Sequence, residues 1–357
     1  VWTAAILTCS VTATAAIARQ DGDWKAEHDA GWKAYQEGRL EEAEKQLRTA
    51  EKSARAFGAD DPRLATTLDH LAWVLCAEGS ADEAERLAKE ALAIREKKLG
   101  AEHADVASSV NTLACIYDIA GRTAEARPLY ARCLMISEKV HGPDDPSTAA
   151  ALDNLATADH LLGKLDEAES EYRRALAIRE KAAETRPGEL APTLHNLGAL
   201  CIDQKKYADA EELLKRALAI REKSLGTDHP DVASSLEALG WMYELQGKPA
   251  DAESLLKKAV ALYEVSLGKD HPHVARCVSK VGRARMDQGD PQEAEACCKR
   301  AIGIHEQAGG DPSELATALD DYAALLRKTG RADEADKAEA RARSLRRSAG
   351  EAERPRR

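Results

Sequence analysis

Three histidines, His103, His229 and His271, hold equivalent places in a recurring unit, two of them inside Asp-His-Pro, so a row of imidazoles raises the question of a metal ladder. A zinc-like ion needs several ligands within a few ångströms of one another, and side chains in successive stacked units sit too far apart for that. The histidines therefore read as helix-entry residues, with Asp228 or Asp270 capping the orphan N–H groups. His-Glu-x-x-His, Gly-x-Ser-x-Gly, the P-loop and the dinucleotide-binding glycine motif are all missing from the sequence. No catalytic group, metal or cofactor is expected, and the chain reads as a non-enzyme. What remains is recognition chemistry. Asp69, Asp118, Asp153, Asp203, Glu237 and Glu244 recur with Trp73 and Trp241 among them, and indole beside carboxylate suits the aromatic or cationic side chains of a peptide.

The elements that must position these groups follow a fixed beat. Ala43, Ala84, Ala126, Ala168, Ala210, Ala252, Ala294 and Ala335 succeed one another at steps of 41 or 42 residues. Gly38, Gly79, Gly121, Gly163, Gly247, Gly289 and Gly330 keep the same register, with Lys205 standing in once. Such a period marks units that cannot bury a core alone and must stack on their neighbours. The stretch 230–268 shows one unit: Pro230 suits a first helical turn, Val232, Leu236, Leu239 and Tyr243 follow at helical spacing, and Gly247 ends the helix. A second helix begins near Asp251, aligns Ala252, Leu255, Leu256, Ala259 and Leu262, and closes at Gly268. Small residues recur before each turn (Gly31, Ala72, Ala114, Ala156, Gly198, Gly240, Gly282, Ala323) and after it (Ala50, Ala91, Cys133, Ala175, Ala217, Ala259, Ala301, Ala342), where helices must approach closely.

Small residues at these places with large apolar residues between them resemble the tetratricopeptide repeat. The 42-residue period, Arg-Ala-Leu-Ala-Ile-Arg-Glu-Lys at 174–181 and 216–223, and Leu-Gly-Thr-Asp-His-Pro-Asp-Val-Ala-Ser-Ser-Leu at 225–236 are similar to the kinesin light chain subfamily. The terminal repeats depart from the pattern, with Ala34 and Glu339 at sites that are usually large and apolar, as capping units do. No heptad segment precedes the repeats to pair with a motor chain, so the likeness is to the array and not to a kinesin subunit. The fold it implies is all-α, a right-handed superhelical solenoid of about eight helix-turn-helix repeats near 21–61, 62–103, 104–145, 146–186, 187–229, 230–271, 272–311 and 312–347.

The resemblance also implies a concave groove lined by one flank of the first helices. On a helix turning 100° per residue, that flank carries Asp69, Trp73, Asn111, Asp118, Asp153, Asn154, His195, Asn196, Asp203, Glu237, Trp241 and Glu244. Kinesin light chains bind tryptophan-containing acidic peptides in a basic groove, and co-chaperone arrays hold a carboxylate with Lys, Arg and Asn. Here Asp69, Asn111, Asp153, His195 and Glu237 stand where such a Lys is wanted, while Asn154 and Asn196 suit hydrogen bonding to a peptide backbone. A neutral or basic extended segment is therefore the expected ligand.

Composition narrows the alternatives. The chain has 357 residues, 44% hydrophobic but 4% aromatic with a single Phe, so its core must be Ala, Leu, Val and Ile. A net charge of −11 and the lack of a basic stripe argue against a nucleic-acid partner. The eight cysteines show no C-x-x-C and mostly substitute for small core residues; only Cys297 or Cys298 is placed to reach Cys277. Val1 to Ala18 carry no charge and end in Ala16-Ile17-Ala18, like a secretory leader with an A-x-A cleavage site. Export after cleavage near Ala18 is expected, with a cytoplasmic location as the alternative and membrane contact only through an uncleaved leader. The solenoid is assigned to 19–347 and a basic disordered tail to 348–357. The function is a protein- or peptide-binding scaffold with no small-molecule substrate, the alternative being a regulatory or sensor module of a larger signalling or envelope assembly.

Overall fold

The structure, a computed structural model, describes residues 21–183, 186–308 and 311–348. The leader, Cys9 and the end of the tail lie outside them. Within the described residues every long element is an α-helix and no strand occurs. Helix α1 (21–36) pairs with α2 (Leu40–Arg55), and hairpins follow in order: α3 (Pro62–Ala77) with α4 (Ala81–Leu99), α5 (Ala104–Ile119) with α6 (Thr123–Val140), and α7 (Pro146–Leu161) with α8 (Leu165–Lys181). After a 3-10 turn at Pro187–Glu189 come α9 (Leu190–Asp203) with α10 (Tyr207–Leu225), α11 (Pro230–Leu245) with α12 (Pro249–Leu267), α13 (Pro272–Asp287) with α14 (Pro291–Ala308), and α15 (Pro312–Lys328) with α16 (Ala332–Ser348). The chain divides into two compact units, Val1–Ile178 and Arg179–Arg357.

Each hairpin turns through a left-handed residue. Gly79 (φ 83) donates its N–H to Cys76 O, and Ser80 donates to Leu75 O, so the end of α3 satisfies its carbonyls with a reversed turn. Lys205 performs the same turn at φ 60, donating to Ile202 O while Lys206 donates to Cys201 O. Six of the first helices start on a side-chain cap, whereas α9 follows the 3-10 turn at Glu189 without one. Asp61, Asp145 and Asp311 each accept the N–H two residues on, and His103, His229 and His271 do so through Nδ1 at 3.1, 3.2 and 3.2 Å. The expected caps, Asp228 and Asp270, sit one residue too early; the imidazole itself replaces the aspartate.

Inside three of the hairpins, glycine on the first helix leaves room for leucine on the second. A Cβ added to Gly31, Gly198 or Gly240 would lie 2.7–2.8 Å from the Cγ of Leu47, Leu214 or Leu256 on the second helix. Of the four hairpins with Ala at the first site, those of Ala72, Ala114 and Ala156 carry the buried Ala88, Tyr130 and Tyr172 at the equivalent second-helix position, and that of Ala323 carries the half-buried Glu339. The second set of small residues, Ala50, Ala91, Ala175, Ala217, Ala259, Ala301 and Ala342, is wholly buried, and Cys133 nearly so. None of the seven described cysteines forms a disulfide, Cys277, Cys297 and Cys298 included. Neighbouring hairpins are also tied by side chains: Tyr117 donates to Glu85 at 3.0 Å and Tyr243 to Glu211 at 2.8 Å, each 32 residues apart.

Candidate peptide-binding flank

In the first unit the flank gathers around an open concavity of about 230 Å³ between α5, α6 and α7. Asn154 Nδ2 donates to Asn111 Oδ1 at 2.8 Å, and both amides, half-buried, line it with Ser108, Ser137 and Val140. Asp69 does not line this concavity. It is buried, with Arg95 and Ser109 (2.8 Å) donating to its Oδ2, and burial pushes it up to about 6 in spite of the arginine. Asp118 accepts from Thr123 Oγ1 at 2.5 Å, closing on the turn of its own hairpin. Asp153 is buried and Trp73 half-buried.

In the second unit the structure brings His195, Asp203, Glu237 and Trp241 around one concavity of about 280 Å³. Its opposite wall is cationic. Arg276 Nε and Nη2 donate to Glu237 at 2.8 and 3.0 Å, and Lys280 Nζ donates at 2.7 Å. Burial alone would raise Glu237, but Arg276 and Lys280 together hold it at about 2. The Arg283 guanidinium lies 4.5 Å and the Lys280 ammonium 5.6 Å from the centre of the Trp241 ring, the geometry of a cation–π contact. Burial, with Arg221 next to it, pushes His195 down to about 4, which keeps the ring neutral. Asn196 is half-buried on the same helix and Asp203 exposed. Glu244 lines the next concavity along.

Read from the first helices alone, the flank carries Arg276 and Arg283 toward its end but none of the cations that arrive from second helices. Arg95 Nη1 donates to Asp105 O (3.1 Å) and Ser109 Oγ (2.6 Å), and Arg221 Nη1 to Asp231 O (3.1 Å) and Ser235 Oγ (2.7 Å). Arg179 donates to Glu189 O at 3.1 Å and to Thr193 Oγ1. These are the arginines of the repeated Ala-Ile-Arg-Glu-Lys. Each reaches from a second helix into the start of the following first helix, where the macrodipole is unfavourable to a cation but a carbonyl and a hydroxyl receive it. The spacing of 26 between Asp69 and Arg95, and again between His195 and Arg221, was the available signal.

The tetratricopeptide repeat profile matches residues 33–97, 74–137, 105–181, 189–264 and 274–348. The chain belongs to the tetratricopeptide repeat family. Among curated proteins none matches the sequence. Among solved structures, BtubC (BKLC) from P. vanneervenii is 21% identical with a TM-score of 0.54, covering 66% of this chain and 95% of that one. The quorum sensor NprR from B. thuringiensis, in its apo form, is 12% identical with a TM-score of 0.68, covering 90% and 86%. A putative kinesin light chain from Podosopora anserina with nearly identical TPR-like repeats is 24% identical with a TM-score of 0.37, covering 70% and 98%. At these identities the first two likenesses establish the tetratricopeptide fold. Among the described residues no group of three or more His, Cys, Asp or Glu side chains is placed to hold a metal ion, and no helix is long and apolar enough to cross a membrane.

Proposed function

We propose that this tetratricopeptide protein is a non-enzymatic scaffold that binds an extended segment of another protein along the first-helix flank. The observation that carries the reading is the gathering of flank residues around open concavities: the Asn111–Asn154 amides in one unit, and His195, Asp203, Glu237 and Trp241 in the other. Amides supply backbone hydrogen bonds to a strand-like ligand, and a half-buried indole supplies the anchor. Neutral or basic segments fit better than acidic ones, because Arg276, Lys280 and Arg283 are already engaged by Glu237, Glu244 and Asp321. The binding array is 19–347, released by cleavage after Ala18 on export; mass spectrometry finding an intact leader on soluble cytoplasmic protein would refute that location.

Selecting an unstructured random peptide library against the full chain tests the scaffold reading. Binders are expected to lose about tenfold or more in affinity on Asn111→Ala or Trp241→Ala, with helicity by circular dichroism unchanged. A library that yields no binder, or binders indifferent to both substitutions, overturns it.

A further inference from the structure

At the end of α11 the charges do not balance. The Glu244 side chain is 10% exposed, its Oε1 lies 3.0 Å from Arg283 Nε, and its Oε2 has no hydrogen-bond partner. Arg283 is shared, since its Nη1 also lies 3.5 Å from Asp321 Oδ1. The stacking of this guanidinium on Trp241 fixes it in place. Lys328 is spoken for by Asp287 at 3.1 Å, and Lys280 by Glu237. All five of Glu244, Arg283, Asp287, Asp321 and Lys328 line one open concavity of about 160 Å³, so three carboxylates face two cations. Its other walls include Met286, Ala324 and Leu325, a surface along which a methylene stem can lie.

We propose that this concavity takes the ammonium or guanidinium of a Lys or Arg side chain presented by the bound segment, which supplies the one positive charge that the Glu244–Arg283–Asp321 cluster lacks. This assignment rests on the scaffold reading for the identity of the ligand, but the cation site is defined by its own charges. In the absence of a ligand cation, a proton is the alternative source of neutrality. Burial, together with Asp321 and Asp287, pushes Glu244 up to about 7 against the opposing influence of Arg283 and Lys280. The groups facing it are Lys280, Arg283 and Asp287 from α13, Asp321 and Lys328 from α15, and the neutral thiol of Cys298 from α14. A ligand cation must displace that proton, so binding strengthens as pH rises through the Glu244 titration.

The probes are Nα-acetyl-lysine methylamide, with its side-chain ammonium free, and its norleucine counterpart, titrated into the full chain and followed by ligand-observed NMR at pH 8 and pH 5.5. The lysine compound is expected to bind about tenfold or more tighter than the norleucine compound at pH 8, and to weaken on the order of thirtyfold at pH 5.5 as Glu244 takes up its proton. Glu244→Gln should abolish both the preference and the pH dependence. Asp321→Asn should do the same by a different route, because it leaves Arg283 to neutralise Glu244 alone. Equal binding of the two probes, absence of lysine binding, or a lysine preference that survives both substitutions overturns the proposal. Library peptides that bind the flank without any Lys or Arg preference would sink this site and leave the scaffold reading intact. Lysine binding lost on Glu244→Gln, with no peptide binder in the library, would sink the scaffold reading and leave the cation site.

Discussion

Arg127 Nε donates to Asp159 Oδ1 at 2.6 Å across the junction of the third and fourth hairpins, at the place where other junctions pair Glu85 with Tyr117 and Glu211 with Tyr243. The acid has moved from the second helix to the next first helix, and Asp159 is fully buried there. This junction is therefore chemically unlike its neighbours.

Arg127→Glu should open it. The substitution leaves a buried carboxylate facing another, with only Lys164 at 3.3 Å in compensation, and breaking such a pair costs about 3 kcal/mol. Adding Asp159→Tyr rebuilds the pairing seen at Glu85 and Tyr117, so the double variant is expected to recover most of the loss. Urea unfolding of the single and double variants checks this; equal destabilisation in both would show that the pair does not matter.

Lys205→Gly should stabilise the second unit. The residue sits at φ 60 where the other hairpins place glycine, and a left-handed backbone costs a residue with a Cβ about 1 kcal/mol. A rise in thermal midpoint is the expected readout, and a fall would mean that the lysine side chain contributes more than its backbone strain removes.

Gly240→Ala is expected to destabilise although alanine favours helices by about 1 kcal/mol over glycine. Its Cβ would stand 2.7 Å from Leu256 Cγ and 3.2 Å from Ala252 O, and overpacking of this kind costs about 1–3 kcal/mol. In a Leu256→Ala background, which reproduces the Ala72 and Ala88 combination of the second hairpin, the sign should reverse. Denaturation midpoints of the four-member cycle decide it.

Glu237 makes part of the stability acid-sensitive. Its carboxyl ordinarily titrates near 4.5 and is held at about 2 in the folded chain, so the native state binds fewer protons than the unfolded one between those values. The contribution is fully present above pH 5 and is lost as pH falls toward 2, about 3 kcal/mol in all. Glu237→Gln should flatten the acid limb of the stability curve between pH 5 and 2 without changing its slope above pH 6. An unchanged acid limb would show that Arg276 and Lys280 do not hold the carboxylate as described.

Much of the architecture was legible in the residues because it is local and repeated. Gly79 and its equivalents mark the turns, Pro230 marks a helix start, and Gly240 and Ala259 mark close approaches; each depends on backbone conformation or side-chain volume within one 42-residue unit. The candidate site was legible only in half. Helical phase puts Glu237 and Trp241 on one face of α11, since phase is a property of a single helix, whereas the meeting of Asn111 with Asn154 joins two helices and needs the stacking of hairpins. The same arithmetic treated Asp69 and Glu237 as bare acids, because it is blind to a side chain arriving from another helix.

By itself, then, the sequence determined the all-helical class, the period, the turns and the identity of the residues on each helical face, all of which follow from steric rules acting over a few neighbouring residues. Tertiary structure alone decided which charges meet. Arg95 reaches Asp69 from the second helix, Arg276 and Lys280 reach Glu237 from the following hairpin, and Arg283 is divided between Glu244 and Asp321. Electrostatic pairing depends on through-space distance and burial, and both are set by how the hairpins stack rather than by order along the chain.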